Sequence, residues 1–314
     1  MAPSGKWIDG IGPETMVEDA ARRSLEPRLA TVAQSLPLAA HLAEHDIEHV
    51  HRLRVATRRA TAALKLYRQW LPRKPARWVK KRLRMIRRAA SDARDLDVLT
   101  ERLRREPGAE ADRIVRFLAE TRAALQPGMI ELAENLRRED GFVRKTARLV
   151  NEIVPPDAID GSAPPNCFGD WAPRELAKIA SDFVDAWPND AVDIEALHRF
   201  RIRAKALRYA IELLAPAFGP QMREVLYPAV EELQEQLGRI TDHVAAMKLL
   251  AESRSHAAND ALEVGVSAFV EAEKHRQIED LQDFQQWWTS DRAEWLKRRL
   301  AKQSGRAAFN RSSV

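Results

Sequence analysis

A chain of 314 residues that is 45% apolar and 31% charged, with a single cysteine, has enough apolar mass for a sizeable core and no partner for an internal disulfide. Met1 to Pro13 lacks the apolar stretch of a signal peptide and no segment approaches a membrane span, so neither a secreted nor a membrane protein is expected, and a reducing cytoplasm is. Ala, Leu, Arg and Glu dominate, all good helix formers, so the expected fold class is all-α.

In chain order, residues 1–15 read as a flexible N-terminal tail. Helical periodicity runs from Met16 to about Asn151, with Pro72, Pro75, Pro107 and Pro127 as punctuation. A linker at 152–170 holds Pro155, Pro156, Pro164, Pro165, Gly161 and Gly169. The helical pattern returns over 171–303, and 304–314 reads as a flexible C-terminal tail.

The two helical halves, 16–151 and 171–303, repeat each other. Ile47 to Val55 aligns with Ile194 to Ile202 at an offset of 147 residues. The same offset brings Arg58 onto Lys205, Leu83 onto Val230 and Asp95 onto Asp242. The prediction is two pseudo-symmetric, four-helix-bundle-like halves packed around a basic groove or channel.

Charge is unevenly spread. From His49 through Ser91 there are 15 Lys or Arg and no acid, so the rest of this +5 chain is net acidic. Such a run repels itself, and helix surfaces ordinarily mix signs to avoid that. At about 100° per residue, Arg54, Arg58 and Lys65 fall near His51 on one helix face, with Arg59 at the flank. Leu53, Ala56, Ala60, Ala63, Leu64, Tyr67 and Leu71 fall opposite. In the second half His198, Arg201, Lys205 and Arg208 align, against Phe200, Ala204, Leu207, Ile211 and Leu214. Arg77, Lys81, Arg84 and Arg88 form a further stripe, backed by Val79, Leu83, Ile86 and Ala90. The matching positions of the second half are Glu224, Pro228, Glu231 and Glu235, so the cationic surface is biased toward the first half.

Converging stripes of this kind suit a polyanion. Arginine offers a planar fork to phosphate oxygens, and histidine adds a donor whose charge changes near neutral pH. The candidate site is His51, Arg54, Arg58, Arg59, Arg77, Lys81, Arg84, Arg88, His198, Arg201, Lys205 and Arg208.

His51-x-x-Arg54-Val55-x-x-Arg58-Arg59, His198-x-x-Arg201-Ile202-x-x-Lys205-x-x-Arg208-Tyr209 and Arg94-Asp95-Leu96-Asp97-Val98 resemble the motifs of the CHAD family, the conserved histidine α-helical domain. The resemblance covers about residues 16 to 300. It implies paired four-helix bundles, inorganic polyphosphate as partner, and association with polyphosphate granules and their proteins. Thr61 and Ala206 depart from the basic residues often found there, and no strand-rich triphosphatase region accompanies the repeat, so the chain resembles a stand-alone member.

Other chemistries have weaker footing. There is no Walker loop, no G-x-G-x-x-G and no G-x-S-x-G elbow, and Cys167 lies in the linker, so no catalytic residue and no cofactor are expected. His45-Asp46-Ile47-Glu48-His49 spells an H-x-x-E-H pattern, with His41 one turn earlier, but it reads as a helix end with Asp46 as N-cap, and no metal site is expected. Arg94-Asp95-x-Asp97 reads as ion pairing. The alternatives carried forward are an RNA- or DNA-binding helical protein, with nucleic acid as competitor, and a metal-dependent phosphohydrolase.

Overall fold

The computed structural model describes residues 5–106, 108–138, 141–156, 166–188, 193–255 and 260–305, side chains at 253–255 and 260–264 excepted. It is all-α. The helices are α1 (Val17–His41), α2 (Glu48–Leu66), α3 (Arg73–Leu103), α4 (Ala109–Arg138), α5 (Gly141–Asn151), α6 (Phe168–Asp185), α7 (Ile194–Leu214), α8 (Tyr227–Ser255), α9 (Asp260–Trp287) and α10 (Ser290–Ser304). Among the described residues there is no strand, only a bridge between Met16 and Cys167. No helix there is long and apolar enough to cross a membrane.

The helices start where local chemistry directs. Asp193 accepts from the amides of Glu195 and Ala196 at the head of α7; Asp46, expected as the N-cap of α2, lies one residue before its N-cap Ile47 and accepts from the Glu48 amide at 2.9 Å. Gly305, at φ 68°, closes α10 in the left-handed region that favours glycine. The backing residues of every cationic face are buried as the wheel predicts: Val79, Leu83, Ile86 and Ala90 on α3, and Phe200, Ala204, Leu207, Ile211 and Leu214 on α7.

Within the first five helices α1 packs on α2, α2 on α3, α3 on α4, and α5 returns to α1; α6–α10 follow the same order, with α10 against α6. Across the middle α2 meets α7, α3 meets α8 and α4 meets α9. One apolar core runs continuously through both sets, and a smaller one joins Leu96, Leu99, Ile114 and Leu118 to Leu250 and Val266. Each set therefore carries five helices where four-helix bundles were expected, and they share a core.

Four boundaries differ from the expectation. Residues 5–15 are packed down: Trp7 meets Tyr227 edge-on with ring centroids 5.0 Å apart, and Ile8 is buried. The chain at 166–169 pairs with this strap, Phe168 donating to Thr15 O at 2.9 Å and Gly169 to Pro13 O at 2.8 Å. A Cβ on Gly169 would lie 3.1 Å from Pro13 Cβ, so this close approach favours glycine, and the last three residues of the expected linker, 168–170, already belong to α6. Pro127 does not interrupt α4, which continues through it. A mid-helix proline costs about 3 kcal/mol, and burial of Ile114, Leu118, Met129 and Leu136 at roughly 1.5–3 kcal/mol each offsets that. Ordered helix extends through Ser304; Pro107, residues 157–165 of the linker and 306–314 of the expected tail lie outside the described residues.

Candidate functional site: a cationic patch shared by two helices

The packing of α2 on α7 brings both His-x-x-Arg segments to one place. Arg54 Nη2 lies 3.5 Å from Asp95 of α3, and Arg201 Nη2 lies 3.1 Å from Asp242 of α8. These two pairs are related by the 147-residue offset of the repeat. The fields of Arg58, Arg201 and Asp242 all reach Arg54, and those of Arg201, Arg58 and Arg54 all reach Lys205. Four cations from two helices thus face two carboxylates, leaving an excess of positive charge. Arg54 and Arg201 are only 23% and 19% exposed, so the charge sits where water screens it poorly.

The consequences appear in the titrating groups. Burial, then repulsion from Arg201, Arg58 and Arg54, pushes the Lys205 amine down to about 7. Burial, with Arg94, Arg54 and Arg58 nearby, also lowers His51, whose Nδ1 has no hydrogen-bond partner among the described residues. Burial raises Asp95 against the pull of Arg54. Lys205 is therefore poised to change charge near neutrality, a group that sequence reasoning did not single out for this. His198 stands exposed on α7 one turn before Arg201.

The α3 stripe leads away from this patch. Arg88, Arg84, Lys81 and Arg77 precede Asp95 by seven, eleven, fourteen and eighteen residues, close to whole turns, so all share its helix face within about 40°. All four are exposed. The stripe extends about 27 Å from Asp95 at 1.5 Å per residue. On α8 the equivalent face carries Glu231 and Glu235, so the cationic surface is one-sided.

Arg59 and Arg208 belong elsewhere. Arg59 donates from Nε and Nη2 to Glu212, which is 1% exposed, and Arg208 donates to Glu212, Tyr227, Gln234 and Glu231. This network ties α2 to α7 and α8, and both guanidiniums point their forks at protein acids. Glu212 is the residue that sequence reasoning missed. The available signal was an acid on the same wheel face as Lys205 and Arg208, immediately after an acid-free run.

Arg94, Asp95 and Asp97 form ion pairs, with Glu48 at 3.6 Å, Arg54, and Arg122 at 3.0 Å. The histidine run is not one helix: His41 ends α1, His45 lies in the turn and His49 opens α2 beside Asp46. No group of three potential metal ligands occurs among the described residues.

Fold and patch together define an all-helical protein whose repeated His-x-x-Arg helices share a cationic surface. The CHAD domain description matches residues 20–251, and the chain belongs to that family. The crystal structure of the CHAD domain from the plant Ricinus communis superposes with a TM-score of 0.64 at 20% identity, covering 98% of both chains. PptA from Streptomyces chartreusis gives 0.62 at 16% identity, over 86% of this chain and 98% of its own. A search of the curated proteins gives no match. At these identities the superpositions speak to the fold alone.

Proposed function

We propose that the protein binds inorganic polyphosphate at the α2–α7 patch, without catalysing a reaction on it, and that the chain continues along the α3 stripe. The observation that carries this reading is Lys205 held among Arg54, Arg58 and Arg201, an excess of half-buried cations that a dense polyanion relieves. The residues assigned to the ligand are Arg54, Arg58, Arg201 and Lys205 at the patch, with His51 and His198 as donors, and Arg88, Arg84, Lys81 and Arg77 along the stripe. Family membership supports the ligand class, and association with polyphosphate granules in the cytoplasm follows from such binding.

The test is a titration with polyphosphates of several lengths at two salt concentrations, with RNA as competitor at equal phosphate. Tighter retention of RNA would transfer the patch to nucleic acid. Phosphate release that depends on an added divalent metal would make it a hydrolase.

Two further outcomes follow. Arg84→Ala/Arg88→Ala alters only the exposed stripe, so long chains lose affinity while tripolyphosphate, seated at the patch, does not. With one phosphate per arginine, the salt slope for long chains falls by about 1.4–1.8; an unchanged slope removes the stripe from the path. The second outcome is a pH dependence. Above about pH 7 the Lys205 amine of the free protein is largely neutral, and polyphosphate favours its charged form. Binding there takes up a proton, so affinity falls as pH rises above 7, by up to about tenfold per unit for one linked proton. Lys205→Met flattens the profile, measured by calorimetry in buffers of different ionisation enthalpy.

A further inference from the structure

A cleft of about 510 Å³ opens between α1 and α2, on the other side of α2 from Arg54 and Arg58, and its floor holds a charge that the patch does not use. Arg28 of α1 lines it and is 2% exposed. Its Nη1 and Nη2 reach only the carbonyls of Ser24 and Lys6, at 3.2 and 3.4 Å, and its Nε has no hydrogen-bond partner among the described residues. Glu212, the acid whose field it feels, is already held by Arg59 and Arg208. A guanidinium buried without a carboxylate of its own is costly, and an anion in the cleft relieves that cost. Burial pushes Arg28 down to about 10, in keeping with an uncompensated site.

Arg59 lies on the same wall. Its Nε and Nη2 bond Glu212, which leaves Nη1 for a ligand. Of the remaining lining, Leu38, Val55 and Ala56 are apolar, Thr31, Gln34, Ser35 and His51 are polar, and Arg52 adds a cation that lies 3.6 Å from Asp46. A cleft of this size, mostly apolar with a few convergent polar groups, is the form that small-molecule sites take. An inorganic phosphate would occupy little of it.

We infer that the α1–α2 cleft is a second binding site, for a small organic phosphate, with the phosphate on Arg28 and Arg59 and the organic body against Leu38, Val55 and Ala56. On the α2 wheel Val55, Ala56 and Arg59 lie about 40–140° to one side of His51, whereas Arg58 and Arg54 lie about 20–60° to the other. The site therefore stands on residues separate from the polyphosphate patch, and His51 alone borders both.

The experiment is calorimetric titration of the full chain with AMP and with inorganic phosphate, followed by long-chain polyphosphate. AMP is expected to bind, and more tightly than inorganic phosphate. Ser35→Trp fills the cleft from the α1 wall and should weaken AMP by about tenfold or more, with polyphosphate affinity unchanged; Arg28→Met should do the same. Arg54→Ala/Arg58→Ala should leave AMP binding intact. Three results would overturn the inference: no AMP binding at millimolar concentration, inorganic phosphate binding as tightly as AMP, or AMP binding that survives Ser35→Trp and disappears in Arg54→Ala/Arg58→Ala. Because Ser35→Trp alters none of the arginines and not the lysine of the patch, it separates this site from the polyphosphate reading even where Arg28→Met fails to fold.

Discussion

Arg54→Ala/Arg58→Ala is expected to weaken long-chain polyphosphate binding by about 100-fold or more while leaving the helical content unchanged. Hydrogen bonds to a charged partner contribute about 1.5–3 kcal/mol each, and about 1.4 kcal/mol is a factor of ten in affinity. Two arginines at a shared patch therefore lose at least two decades. The fold tolerates the change because both side chains stand on the polar side of α2, while Leu53, Ala56 and Ala60 hold its buried side. Asp95, the acid that loses its pair, is 40% exposed and can turn to water. A second readout separates this account from a general loss of charge. Arg58 and Arg54 are among the groups that depress Lys205, so removing them lets its pKa climb back toward the ordinary lysine value. The fall of affinity above pH 7 should therefore shrink in the double variant. An affinity within about threefold of the parent, at one salt concentration and by direct titration, would remove both arginines from the site.

Glu212→Ala carries the largest expected effect on stability. Glu212 is 1% exposed and accepts from Arg59, Arg208 and Tyr227, so its loss leaves two guanidiniums and a hydroxyl short of their acceptor across α2, α7 and α8. Removing one member of a buried ion-pair network costs roughly 3–5 kcal/mol, because the remaining charges stay buried. Urea unfolding of the two proteins measures it. Asp242→Asn is the control: its pair with Arg201 is 53% exposed on the acid side, and surface pairs contribute roughly 0–1 kcal/mol. Equal stability of Glu212→Ala and the parent would mean that Arg59 and Arg208 find other partners, and would return them to the polyanion surface.

These two variants bear on what could be read from the sequence and what could not. Arg54, Arg58, Arg201 and Lys205 were legible as one chemistry, because the helical period places them on single faces and the absence of acids along each run is a local property of the chain. The repeat offset also carried the Arg54–Asp95 and Arg201–Asp242 pairs into equivalent positions. Arg59 and Arg208 sit on the same runs and read the same way, yet they serve the fold. What separates them is one acid 153 residues from Arg59, whose reach depends on how α2 is set against α7. Arg28 is a plain basic residue in the sequence, and only burial makes it a ligand candidate. The strap at 5–15 lacks periodicity, so nothing local revealed that Trp7 docks on Tyr227.

The amino-acid sequence by itself determined the helical class, the repeat, the apolar side of each helix and the concentration of cations in the first half, since all of these follow from residue type and a 3.6-residue period. Tertiary structure alone decided which cations face solvent and which face an acid, that Lys205 is buried among like charges, and that a cleft opens beside Arg28. Pairing and desolvation depend on distances between helices far apart in the chain, and a one-dimensional pattern does not contain those distances.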